Sequence, residues 1–201
     1  MLTFATAVIL LILTPGPGVM TTAGFGAAYG FRPSLRYVLG LFIGTNLVLL
    51  AVVSGLAAIL MSIPWLRTVL MLVSVSYLLY LAVRIATAGA RVAFMEARVP
   101  PGITGGVLLQ VINPKAYAVN TSLMTGFSYA PDAQVFELAS KVLILNAIWI
   151  PIHLAWLWAG VSLHRLDLSE RTHHRINIAM ALALLGVVAL AMWSATRPHH
   201  P

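Results

Sequence analysis

Two groups of residues in this chain put the chemistry of a helix start inside an apolar run. Thr14-Pro15-Gly16-Pro17-Gly18 interrupts the first apolar stretch and Asn113-Pro114-Lys115 the fourth. In each, a Thr or Asn able to cap stands before a Pro at the first helical position, where the missing N–H costs nothing. A helix that begins there has N–H groups without intrahelical partners and carries about half a unit of positive charge at its start. Lys115 adds a full charge at the second break. Such groups hold an anion, and Gly16 and Gly18 let a ligand approach the backbone closely. Carbonyls freed beside the prolines accept from an ammonium group. A zwitterion satisfies both halves of that description.

Three further residues have the type for a polar task in an apolar setting. Asn46 and Asn146 are costly in lipid and must face other helices, either as ligands of a substrate or bonded to a neighbouring helix. His153, among Trp149, Trp156 and Trp158, is either a proton relay or a hydrogen-bonded structural residue. Tyr77, Tyr80 and Tyr117 either line a route or join Trp65 and Trp193 in an interfacial belt. His173 with His174, and His199 with His200, are adjacent pairs whose imidazoles diverge on a helix, so no metal site is expected. There is no Cys, no Gly-rich phosphate loop and no nucleophile elbow. Neither catalytic residues nor a cofactor are expected.

The elements that position these residues follow from composition. The 201 residues are 60% hydrophobic and 8% charged, with a mean hydropathy of +0.94. An ordinary water-soluble domain is excluded. A span needs roughly 20 apolar residues, and six candidates fit, about 2–28, 35–61, 65–86, 103–128, 138–163 and 176–195. The remaining connections are too short for a soluble domain, so residues 1–201 form one membrane domain. The first stretch lacks a basic leader and runs into Pro-Gly-Pro-Gly instead of a cleavage site, which makes it a span and not a signal peptide.

The net charge of +7 is spread singly over connections, without the stripe that nucleic acid would require. Arg32, Arg36, Arg84, Arg91, Arg98, Arg165, Arg171 and Arg175 fall on one side, and Arg67, Lys141 and Arg197 on the other. The first side is expected to be cytoplasmic, which puts both termini outside.

Laying the second half on the first brings Pro15 against Pro114 and Asn46 against Asn146, offsets of 99 and 100 residues. Halves 1–99 and 100–201 would each hold three spans. An odd number turns the second unit upside down, giving a 3+3 inverted repeat with broken helices 1 and 4, the design of many secondary transporters. The half-helix starts then face one another at mid-depth. A Lys near the centre of an apolar stretch costs roughly 2.5–3.5 kcal/mol, and Glu96, Asp132, Glu137, Asp167 and Glu170 all lie in connections or at helix ends. A substrate carboxylate would offset that cost. Otherwise the fourth helix begins at Pro114 and Lys115 snorkels to the cytoplasmic surface.

These residues resemble the lysine-exporter (LysE/RhtB-type) family of bacterial amino-acid efflux proteins over nearly the whole chain. The resemblance is carried by Thr14-Pro15-Gly16-Pro17, by Gly24, Gly30, Gly40 and Gly44, by Ser76-Tyr77-Leu78-Leu79-Tyr80-Leu81 ahead of Arg84, and by Gly105 to Lys115, closing in Asn-Pro-Lys-Ala. It implies a six-helix inner-membrane exporter of amino acids or related metabolites, dimeric and driven by an ion gradient. The family usually has an Asp just after the glycines of its second span, where this chain has Thr45 and Asn46. A titratable carboxylate is thereby lost, and a strongly cationic substrate fits less well than a small zwitterion. A carboxylate arriving beside Lys115 favours the protonated lysine, the wrong sign for proton antiport, which leaves His153 or a displaced proton elsewhere to supply the coupling.

The expectation is an all-α exporter of small zwitterions, alternating access about Thr14 to Gly18, Asn46, Asn113 to Lys115 and Asn146. Its partners would be the substrate, the bilayer and a second copy. Two rivals stand beside it: a metal or inorganic-ion exporter of similar repeat design, which needs several buried carboxylates or His ligands, and a non-transporting membrane subunit or scaffold.

Overall fold

A computed structural model describes residues 1–14, 16–56 and 101–165 continuously, and scattered positions between 59 and 83 and between 171 and 189. Every regular element among the described residues is helical. The expected spans 65–86 and 176–195 fall largely outside them, as do Pro15, Tyr77, Tyr80 and His173.

The first helix, α1 (Leu2–Leu13), stops at Thr14, whose Oγ1 and backbone N–H both donate to the Leu10 carbonyl, at 2.6 and 3.1 Å. α2 (Pro17–Tyr29) starts with Pro17 at its first position and Gly16 as cap, and no side chain caps it. The proline that opens this half-helix is therefore Pro17 and not Pro15. Thr14 closes α1 and does not cap α2. The two axes bend by 55°.

A single residue joins α2 to α3 (Phe31–Val53): Gly30, with φ of 80°. A side chain there would be strained, and the turn is tied by Ser34, whose Oγ donates to the carbonyls of Gly30 and Phe25 at 2.8 and 2.9 Å. α3 ends at Ser54 and not near residue 61, because Gly55, with φ of 76°, turns out of the helix. α4 (Ile103–Ile112) and α5 (Pro114–Gly126) share the cap residue Asn113, whose side chain accepts from the Lys115 N–H at 3.1 Å. α6 (Gln134–Arg165) runs 32 residues with Pro151 inside it. At 1.5 Å per residue it is about 48 Å long, against a hydrocarbon layer of about 30 Å. By length and apolar composition two described helices can cross a membrane, α3 and the Gln134–Ser162 part of α6, and the bent pair α1–α2 makes a third.

Small residues set the crossings. A β-carbon on Gly40 would run into the Ile103 backbone and one on Gly106 into the backbone of Tyr37 to Leu41, so α3 and α4 meet backbone to backbone. Gly26 and Gly160 do the same for α2 and α6, against Leu157 and Ala23. Between these crossings Phe4, Val8, Phe25, Tyr37, Leu41, Leu109, Leu123, Leu145 and Leu157 form the apolar core. Leu39, Ile43, Leu47 and Leu50 make an exposed apolar stripe along α3.

At the foot of α6 the carboxylate of Glu137 gathers the chain before it. Oε2 accepts from the N–H groups of Tyr129 and Ala130 at 3.0 and 2.6 Å, and Oε1 from Lys141 Nζ at 2.6 Å. Lys141 donates also to the Met124 carbonyl at 3.0 Å, near the end of α5. Lys141 is 4% exposed. It is thus an internal clamp, and its charge is spent inside the protein instead of marking a side of the membrane.

Candidate functional site

The breaks α1/α2 and α4/α5 open onto one cavity of about 70 Å³. Thr14, Gly16, Pro17 and Gly18 come to it from the first break, Asn113 and Lys115 from the second, and His153 from α6. Residues nearly a hundred positions apart are brought together because both α2 and α5 start there. At the start of α2, Gly18 and Val19 line this space, whereas the first N–H groups of α5, on Lys115 and Ala116, are taken by the side chain and the carbonyl of Asn113.

Lys115 is half-buried and crosses from one break to the other. Its Nζ donates to the Thr14 carbonyl at 2.6 Å. That carbonyl closes α1, so the ammonium rests on the negative end of a helix dipole. The cost of the buried charge is offset by α1 itself, and the two remaining ammonium donors are left for other partners. Gly16 makes the path possible: a β-carbon there would stand 3.0 Å from both Lys115 Cδ and Nζ.

A chain of amides runs along one wall. Asn113 Nδ2 donates to Gln110 Oε1 at 3.0 Å, and Gln110 Nε2 donates to Thr45 Oγ1. This ties α4 to α3 and orients Asn113, whose Oδ1 is already held by the Lys115 N–H. His153, which also lines the cavity, is 4% exposed and stacks on Trp149, with ring centroids 3.6 Å apart and planes 14° apart. His153 Nδ1 lies 3.0 Å from the Trp149 carbonyl. A carbonyl only accepts, so Nδ1 carries the proton and the neutral ring offers a lone pair on Nε2. That atom lies 3.7 Å from where a β-carbon on Gly18 would sit.

Other expected residues stand elsewhere. Asn46 and Asn146 do not line the cavity. Their amides pair with each other, Asn46 Nδ2 to Asn146 Oδ1 at 3.1 Å and the reverse at 3.0 Å, and each also donates to the carbonyl four residues before it. With both oxygens and all the well-placed hydrogens engaged, they join α3 to α6. Pro114 starts α5 without facing the cavity. Conversely Thr45, Gln110 and Asn120 line it and were not singled out in the sequence. Their signal was available, since each is a polar residue in an apolar stretch and so marks an interior-facing position.

Comparison with known proteins follows the same lines. The family model of the LysE type translocator matches residues 9–195. A "Cysteine/O-acetylserine efflux protein" of Salmonella choleraesuis (strain SC-B67) is 32% identical over 186 residues, covering 90% of this chain and 92% of the relative. The protein of the same name from Salmonella typhimurium is also 32% identical, with the same coverage. That of Escherichia coli (strain K12) is 25% identical over 183 residues, again 90% and 92%. No solved structure matches. A match over almost the full chain shows that this protein belongs to the LysE type translocator family.

Proposed function

We propose that this translocator exports small zwitterionic amino acids across the bacterial inner membrane, with the cavity between the two helix breaks as its central site. The observation that carries this is the meeting of Gly16 to Gly18 with Asn113 and Lys115 around one space. The substrate carboxylate binds the free ammonium hydrogens of Lys115 and the helix start of α2. A water needs about 10–15 Å³ measured in the same way, so about 70 Å³ suits a molecule of roughly five to seven heavy atoms. Relatives named for cysteine and O-acetylserine efflux support a substrate among small α-amino acids.

A site built on two broken helices is the kind about which alternating access turns. The order half-helix, half-helix, long helix occurs twice, as α1–α2–α3 and α4–α5–α6, and supports a two-unit design. The packing departs from an exact twofold axis: α3 lies on α4, whereas α6 lies chiefly on α2 and to a lesser extent on α1. His153 supplies the coupling in this scheme, because a proton on Nε2 and a substrate ammonium exclude each other from one small cavity. Both termini lie outside, as the arginines flanking the helices require.

The test is counterflow in liposomes. Purified protein is screened with radiolabelled L-cysteine, O-acetyl-L-serine, L-alanine and L-serine, with and without a pH gradient, beside Lys115→Ala. Accumulation by the wild type that is lost in the variant is the expected result. Absence of counterflow for the whole panel overturns the proposal.

A further inference from the structure

Hydrogen-bond inventory along the cavity leaves one acceptor over. The Thr45 hydroxyl accepts from Gln110, Gln110 Oε1 accepts from Asn113, and Asn113 Oδ1 accepts from the Lys115 N–H. The Thr14 carbonyl is taken by Lys115 Nζ. Asn120 also lines the cavity and is 3% exposed. Its Nδ2 donates to the Ala116 carbonyl at 2.8 Å, yet Oδ1 has no hydrogen-bond partner. It is the one buried side-chain polar atom among the described residues in that position. Buried polar atoms are satisfied in the great majority of cases, and an exception on a residue that lines a ligand cavity is a candidate acceptor for a ligand donor.

We infer that Asn120 Oδ1 accepts a hydrogen bond from the substrate's α-ammonium group, and so makes this site select amino acids over the matching carboxylic acids. The inference rests on the export reading above and adds the second pole of the site. Lys115 and the helix start of α2 supply only donors, which a plain carboxylate would satisfy as well as an amino acid does. An acceptor is needed to tell the two apart, and Asn120 offers one without a negative charge that would trap Lys115.

The test compares L-cysteine, kept reduced, with 3-mercaptopropionate, which is cysteine without its amino group, and L-alanine with propionate in the same way. Each compound competes against counterflow of the labelled amino acid in proteoliposomes holding the full chain. Wild type is expected to prefer the amino acid by about 10- to 100-fold, the value of a hydrogen bond to a charged group. Asn120→Leu, which keeps the branched shape of Asn with two methyl groups in place of the amide atoms, should bring the preference within about twofold, through loss on the amino-acid arm only. Asn120→Asp, which keeps an acceptor but competes for Lys115, should keep the preference while lowering affinity for both members of each pair. Ligand-induced thermal shift of the purified proteins with the same pairs reads the same preference without transport. A preference undiminished in Asn120→Leu overturns the subsite and leaves export standing. A wild type that carries neither amino acid overturns both.

Discussion

Asn46 and Asn146 hold each other by two reciprocal amide hydrogen bonds, 3.1 and 3.0 Å long, across the contact between α3 and α6. Each bond replaces one that lipid cannot supply, and removing one partner strands the other's amide. A double-mutant cycle of Asn46→Leu and Asn146→Leu should therefore show coupling of about 0.5–2 kcal/mol, with the double variant less destabilised than the two singles summed. Thermal unfolding in detergent measures it. Because neither residue faces the cavity, the double variant should keep its substrate affinity; a tenfold loss of affinity would return both residues to the binding site.

Lys115 depends on the absence of a side chain at Gly16. That glycine has extended φ and ψ of −160° and 177°, so alanine fits its backbone, and the atoms a β-carbon meets are the flexible end of Lys115. Gly16→Ala should fold normally, push the ammonium off the Thr14 carbonyl and weaken substrate affinity by about tenfold, the size of one charge-assisted bond. Lys115→Ala should abolish transport while the protein still reaches the membrane. Counterflow at wild-type affinity in Gly16→Ala would separate Lys115 from the substrate.

The glycines at the crossings behave differently, since their neighbours are backbone and cannot step aside. Gly40→Ala and Gly160→Ala each force a β-carbon onto a carbonyl of the facing helix, of Ile103 and Ala23 respectively. Each should lose about 1–3 kcal/mol of stability through separation of the helix pair. Gly30→Ala should also destabilise the protein, for another reason: nothing lies near its β-position, but its φ is positive. Melting temperatures of the three, beside Gly126→Ala on the open end of α5, distinguish packing and turn effects from tolerance.

The two breaks were legible because proline and glycine in an apolar run have few other uses, and Lys115 because a charge there is expensive. Which proline starts the first half-helix was not legible: Thr14-Pro15-Gly16-Pro17 offers two possible starts, and the choice depends on Thr14 turning back to Leu10. The pairing of Asn46 with Asn146 was visible as an equal offset, but its meaning was not, since a polar residue facing inward can meet a substrate or a second Asn. Lys141 was counted as a mark of topology and turned out to bind Glu137 four residues earlier, an i, i+4 pair that the sequence did contain. Gln110 and Asn120 were overlooked because their neighbours, Asn113 and Lys115, explained the stretch without them.

In the proposed scheme His153 couples export to a proton gradient. Its Nδ1 hydrogen is fixed on the Trp149 carbonyl and its ring on the Trp149 face, so only Nε2 is free to exchange a proton with the cavity. An ammonium group entering the same space is repelled by a protonated ring and accommodated by a neutral one. Proton and substrate then alternate, which is the sign antiport requires and which Lys115 cannot give. His153→Gln retains a donor for the Trp149 carbonyl but does not titrate. The variant should exchange labelled amino acid for unlabelled at close to the wild-type rate, because exchange needs no net proton movement. Net efflux from loaded vesicles should no longer speed up when the side receiving the substrate is made acidic. Full acceleration by the gradient in His153→Gln would assign the coupling to another group, whereas loss of exchange as well would make His153 part of the binding site and not of the coupling.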